Sequence, residues 1–158
     1  MNIAYAQLIT FVFTVIGGVL IFTFSQALLK LVIEPVQHLK VAIGQTSNTL
    51  LFHQAKIGNA VVDDEVSASL KAHAAELLSK AAIVSGYTRA QRVFRLPTLQ
   101  DIQEASQHLN LMAHGMMSVA RQAETGYESP TCQQRALADN AASLFKVGKL
   151  LKVKTTYT

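Results

Sequence analysis

From Met1 to Leu29 no side chain carries a formal charge, and between Ile3 and Phe24 only Gln7, Thr10, Thr14 and Thr23 interrupt the apolar residues. A helix of about 20 residues crosses a hydrocarbon core of about 30 Å, so this run is long enough to span a bilayer with several residues left for tilt. The excess apolar character of the chain sits here: half of the 158 residues are hydrophobic and 15% are charged. The remaining length allows one further domain of ordinary size. The expected division is an anchor over residues 1–34 and a helical domain over 35–158.

The run ends in "LLKLVIEPVQHLK", Leu28 to Lys40, where the first charges and a proline arrive together. That pattern reads as the exit from a membrane. A cleaved signal peptide is the competing reading, and "FSQA" at Phe24–Ala27 offers small residues. Signal peptides, however, begin with Lys or Arg and carry an apolar core of about 7–15 residues, whereas this chain begins "MNIAYAQ". Pro35 fits either a kink in one helix or the first residue of a new one. No Lys or Arg precedes the span, and Lys30, Lys40 and Lys56 follow it. The positive-inside tendency then predicts a single-pass protein of the inner (cytoplasmic) membrane with its C-terminal domain in the cytoplasm. The single cysteine, Cys132, has no internal disulfide partner, which suits a reducing compartment.

Ala6, Thr10, Thr14 and Gly18 recur every fourth residue and share one helix ridge. Small residues at this spacing let two membrane helices approach closely, so this ridge is the candidate for membrane-helix packing and homo-oligomer formation. Small residues are also common in spans without any such role.

Beyond Pro35 the pattern is helical throughout. Val36, Leu39, Ile43, Thr46, Leu50, His53 and Ile57 recur at steps of three and four, a bundle seam, with a stop at Gly58–Asn59. A second helix opens at Asp63–Glu65 and carries Val66, Leu70, His73 or Ala74, Leu77, Ala81 and Val84 up to Gly86. Tyr87–Pro97 reads as a connection or a short irregular helix. A third helix follows a capping box at Thr98–Asp101 and buries Ile102, Leu109, Met112, Met116, Val119 and Ala123. A fourth, capped by Ser129 with Pro130 in its first turn, carries Leu137, Ala141, Leu144, Gly148 and Leu151. The expected fold is all-α: an N-terminal transmembrane helix followed by an antiparallel up-down four-helix bundle.

An up-down path would return the connection Tyr87–Pro97 and the C-terminal tail to the membrane. Lys30, Lys40, Arg89, Arg92, Arg95, Lys146, Lys149, Lys152 and Lys154 would then share one end, and Asp63, Asp64, Glu65, Glu124 and Glu128 the other. Basic residues beside an anionic leaflet contribute about 1 kcal/mol each, so these nine are the candidates for anionic-lipid contact. Complementing helix C-termini explains the lysines of the last helix equally well. It explains three arginines in a connection less well. The basic balance also permits nucleic acid, but no nucleic-acid motif accompanies it.

No catalytic constellation, cofactor motif or metal site is legible. Five histidines are present, His38, His53, His73, His108 and His114, yet the paired Glu-x-x-His motifs of a di-iron bundle are not. Glu34 with His38 and Glu104 with His108 read as pairs on a helix surface. Cys132 sits in a first helical turn, which can lower a thiol pKa, without a neighbouring histidine in sequence. Met112, Met116 and Met117 read as core or near-core residues.

At "VIEPVQHLKVAIG" the chain resembles a class of small, mostly uncharacterised bacterial proteins with one N-terminal span, an Ile-Glu-Pro-x-Gln junction and a helical cytoplasmic part. The matching residues are Ile33, Glu34, Pro35, Gln37, Ile43 and Gly44. The resemblance covers about the first third of the chain and implies a bacterial inner-membrane protein without implying an activity. Three functions remain open: a non-enzymatic membrane-anchored interaction module that contacts lipid and a membrane-complex partner, a signal-responsive bundle loosened by Gly44, Thr46 and His53, and a membrane-perturbing effector assembling through its span.

Overall fold

The structure is a computed structural model that describes residues 3–125 and 130–157, with side chains described except at 3, 4, 6 and 119–133. All of its regular elements among these residues are helices: α1 (Ile3–Leu28), a π-helical segment (Leu29–Ile33), α2 (Glu34–Phe52), α3 (Gln54–Gly58), α4 (Asp64–Ile83), α5 (Tyr87–Phe94), α6 (Leu99–Thr125) and α7 (Pro130–Leu151). One of them is long and apolar enough to cross a membrane, continuing without interruption from Gln7 to Phe52. In α1 the apolar side chains are exposed on every face, Phe13 at 71%, Leu20 at 64% and Phe24 at 72% among them.

Pro35 does not break this helix. It lacks an N–H, and its ring would clash with the carbonyl four residues back in an α-helical register. The chain absorbs the mismatch upstream, where the Glu34 N–H reaches the Leu29 carbonyl, a span of five residues. Ile33 and Glu34 keep right-handed helical angles. The proline therefore sits just past a π-bulge, one of the few local defects that let a helix continue through it.

Past the bulge α2 acquires an inner face. Val36, Leu39, Ala42, Ile43, Thr46 and Leu50 are buried, and the Thr46 hydroxyl returns to the Ala42 carbonyl at 2.8 Å. The expected seam is present except at its far end. His53 is half-buried and carries φ −102° and ψ 15°, which ends α2 there. The short α3 then redirects Ile57 into the core, where it is fully buried. Helix α4 packs against α2 and α6, α6 against α7, and α3 against α7.

Side-chain contacts fix the register of these pairs. Thr49 meets His73 at 2.9 Å, the Ser67 hydroxyl donates to the Ala113 carbonyl at 3.2 Å, and His108 meets Ser143 at 3.2 Å. The shared interior includes Leu70, Leu77, Ile102, Leu109, Met112 and Met116, all inaccessible to solvent. Of the expected third stripe, Val119 and Ala123 lie outside the described side chains. Of the expected fourth stripe Leu144, Gly148 and Leu151 are buried, whereas Leu137 is half-buried and Ala141 exposed. In the first half of the described helix the inner positions are instead Ala136 and Asn140, one residue earlier. Asn140 donates to the Ile57 carbonyl at 2.8 Å and so ties α7 to α3.

The ends follow local rules. Asp63 caps α4, accepting from the Val66 N–H at 3.0 Å, and pairs with Lys56 at 2.7 Å. The capping box of α6 is reciprocal: the Thr98 N–H donates to Asp101 at 2.8 Å and the Asp101 N–H to Thr98 Oγ1 at 2.9 Å. The expected cap Ser129 lies outside the described residues. Three helix C-termini place a non-glycine residue in the left-handed region, Ala60, Arg95 and Lys152. After each, the next N–H reaches back five residues, Val61 to Lys56, Leu96 to Gln91 and Val153 to Gly148. This is the Schellman geometry that satisfies a helix's last carbonyls.

Candidate functional site

The clearest concentration of unpaired charge lies where α1 passes into α2. A cavity of about 110 Å³ opens there between the first long helix and the end of α4, lined by Lys30, Glu34, Pro35, His38, Lys80 and Ile83. Lys30 comes from the π segment and Lys80 from the last turn of α4. Glu34 and His38, the pair expected on a helix surface, share this cavity. Lys80 was not legible as part of this end, because its placement depends on how far α4 returns along α2.

Of the two readings of Tyr87–Pro97, a connection or a short helix, the structure has the helix over Tyr87–Phe94, α5, whose inner positions Tyr87 and Ala90 are buried. Tyr87 anchors it by donating its hydroxyl to the Pro97 carbonyl at 2.8 Å, and burial pushes its pKa up to about 12. Thr88, Arg89, Arg92, Val93 and Arg95 face outward. Lys40 of α2 sits over the Phe94 ring, 5.8 Å from its centroid, which brings α5 to the same end of α2 as the junction. Among the described residues none of the three arginines has a carboxylate within ion-pair distance.

Lys146, Lys149 and Lys152 border a separate groove of about 300 Å³ shared with Asp101 and Glu104 on α6. The tail does not continue toward the junction. Its reversal at Lys152 turns it back along α7, where Thr155 donates to the Leu144 carbonyl at 2.8 Å. The Ser47 hydroxyl donates to the Lys154 carbonyl, and the Tyr157 N–H donates to Gln54 at 3.0 Å. Ser47 lies thirteen residues beyond Glu34, about 20 Å along the helix. Gly148 makes room for this fold-back: a Cβ there would sit 2.6 Å from Thr155 Oγ1. Of the nine expected basic residues, Lys30 lines the junction cavity, and Lys146, Lys149 and Lys152 border the groove beside the first turns of α6.

In α1, Thr14 donates its hydroxyl to the Thr10 carbonyl at 2.8 Å, and a Cβ on Gly18 would meet nothing within 4 Å. The Ala6 side chain is outside those described. The ridge is open along Thr14 and Gly18.

The histidines are dispersed. His73 sits between α2 and α4 with Nε2 on Thr49, while its buried Nδ1 has no hydrogen-bond partner and Glu76 stands 3.9 Å away. Burial lowers its pKa, partly opposed by Glu76. His108 is lowered by burial and then by Lys146, with Glu104 opposing. His114 borders a different hollow, between α6 and α7. Among the described residues no three His, Cys, Asp or Glu side chains gather as metal ligands. The Cys132 side chain lies outside them. Comparison with known protein families, curated proteins and solved structures returned no match.

Proposed function

We propose that the protein is a membrane-anchored helical interaction module, acting by contact rather than by catalysis. The observation that carries this reading is the single helix from Gln7 to Phe52. It is apolar and exposed on all sides in α1, then buried along one face in α2. Such a helix couples a lipid-embedded segment rigidly to a packed domain, with the exposed Lys30 at the transition and α5, which carries Arg89 and Arg92, brought to Lys40 of α2 by Phe94. In this reading residues 1–34 are the anchor. Residues 35–158 form an up-down four-helix bundle in the cytoplasm, its helices α2, α4, α6 and α7 alternating in direction. The basic end faces the anionic inner leaflet, and the ridge Ala6, Thr10, Thr14 and Gly18 packs against a second copy or a partner's span.

Cross-linking in intact cells followed by purification from solubilised membranes tests this. The expected result is a defined partner or a second copy whose yield falls when Gly18→Leu blocks the ridge. Recovery of the unaccompanied chain at natural abundance would contradict it.

A signal-responsive bundle is the second reading, favoured by the unpartnered Nδ1 of His73 at the α2–α4 interface. Ligand- or lipid-dependent shifts in thermal unfolding would support it, and a flat response would remove it.

A further inference from the structure

The junction cavity has a composition that neither the span nor the helical core requires. Two lysines, Lys30 and Lys80, together with Glu34 and His38, line the same small space. Yet no Lys–Glu distance there falls within ion-pair range among the described residues. Lys80 is half-buried. Ile83, which also lines the cavity, is 63% exposed, and Leu31, next to Lys30 on the π segment, is 59% exposed. The lining includes a residue of a π-bulge, a defect often found at functional positions. Lys30 is the first charge after the apolar run, which sets the cavity at the depth where hydrocarbon gives way to headgroups.

We propose that this cavity binds one phospholipid molecule whose headgroup carries both a phosphodiester and a primary ammonium. The phosphate sits between Lys30 and Lys80, the ammonium against Glu34, and the acyl chains descend past Leu31 and Ile83. Both lysines donate charge-assisted hydrogen bonds to phosphate oxygens. An anionic headgroup without an amine satisfies the lysines and leaves Glu34 without a cation, so the carboxylate sets the preference. This assignment rests on the reading that α1 spans the membrane. It differs from general attraction to an anionic leaflet in requiring one site, and in requiring Lys80.

The test uses the full chain purified in detergent and exchanged into mixed micelles containing palmitoyl-oleoyl phosphatidylethanolamine or phosphatidylglycerol, with bound lipid counted by native mass spectrometry. The wild type is expected to retain one phosphatidylethanolamine in preference to phosphatidylglycerol. Lys80→Gln is expected to lower that retention about tenfold. Glu34→Gln is expected to bring the two lipids near parity, and Lys71→Gln, at an exposed position of α4 outside the cavity lining, to leave retention unchanged. Unaltered thermal unfolding of the three variants shows that the fold is intact.

Equal loss in Lys71→Gln and Lys80→Gln would overturn the site in favour of diffuse charge while leaving the membrane reading standing. So would unselective retention by the wild type, or full retention by Lys80→Gln. Recovery of the native chain from the soluble fraction of cells would overturn the membrane reading and the site together.

Discussion

Helices α1 and α2 are two stretches of one continuous helix, and they meet opposite surroundings. In α1, Phe11, Phe13, Leu20 and Phe24 are each more than 60% exposed. In α2, Val36, Leu39 and Leu50 are at most 2% exposed while Lys40 and His38 face outward. A helix that is apolar all round needs either a large core or a membrane, and one with a single apolar stripe needs a partner helix. The change from one surface to the other takes place across the π segment and Pro35, within about two turns. The difference teaches that the junction joins an exposed apolar surface to a packed one without interrupting the helix. A displacement of either half along or about the helix axis is thereby transmitted to the other.

The sharpest way to separate the two halves is to remove apolar volume from each. Leu77→Ala, at a fully buried position of α4, is expected to cost about 2–5 kcal/mol of unfolding free energy. Ile16→Ala, at a half-exposed position of α1, is expected to cost under about 0.5 kcal/mol in the same denaturant titration of detergent-solubilised protein. Comparable losses at the two positions would mean that α1 packs into the folded core. Placing a charge in the apolar half gives the converse. Ile16→Arg is expected to oppose insertion by about 3 kcal/mol, read as a shift of the chain out of the carbonate-resistant membrane fraction, with unfolding of the helical domain unchanged.

Smaller effects probe the ends of the packed half. Lys152 holds a φ of 58°, a conformation that costs a side chain roughly 1 kcal/mol. Lys152→Gly is therefore expected to raise stability by up to about 1 kcal/mol in chemical denaturation. A loss instead would assign the Lys152 side chain a stabilising role that outweighs the strain.

The smallest effect is pH dependence. His73 and His108 have folded pKa values below the ordinary 6.5, each chiefly through burial. The unfolded chain thus binds more protons as pH falls through 6.5, and stability present above that value declines toward the lowered folded values. Thermal unfolding followed from pH 7.5 to 5 should show this decline, and the decline should be shallower in His73→Gln.

Much of the packed half is legible from residue spacing because its cues are local. The seam from Val36 to Leu50 follows from steps of three and four, and the capping box at Thr98–Asp101 from two side chains of the right reach. Gly86 marks the end of α4 because its φ of +64° suits glycine. What escapes the sequence is set by distant contacts. No glycine or proline signals the end of α2 at His53. The break lets α3 turn Ile57 inward, where its carbonyl meets Asn140 eighty-three residues away. The displacement of the α7 face at Ala136 and Asn140 has the same origin.

The return of the tail toward Ser47 and Gln54 depends on a reversal at Lys152, a residue with no turn preference of its own. The membership of Lys80 in the junction cavity is legible only once α4 is docked along α2. Read from the sequence, Lys30, Lys40, the three arginines of Tyr87–Pro97 and the four C-terminal lysines group together. The fold separates those at the junction from those beside Asp101 and Glu104.

The most direct test of the account is the sidedness of the helical domain, and the chain's single cysteine, Cys132, provides the probe. Cells with a permeabilised outer envelope and an intact inner membrane are treated with a membrane-impermeant maleimide, alongside lysed and denatured samples. The account predicts that Cys132 is protected until the inner membrane is opened and is labelled afterwards, with the chain recovered in the membrane fraction. Labelling before the inner membrane is opened would place the helical domain outside the cytoplasm. It would contradict both the orientation and the role assigned to the basic residues at the junction.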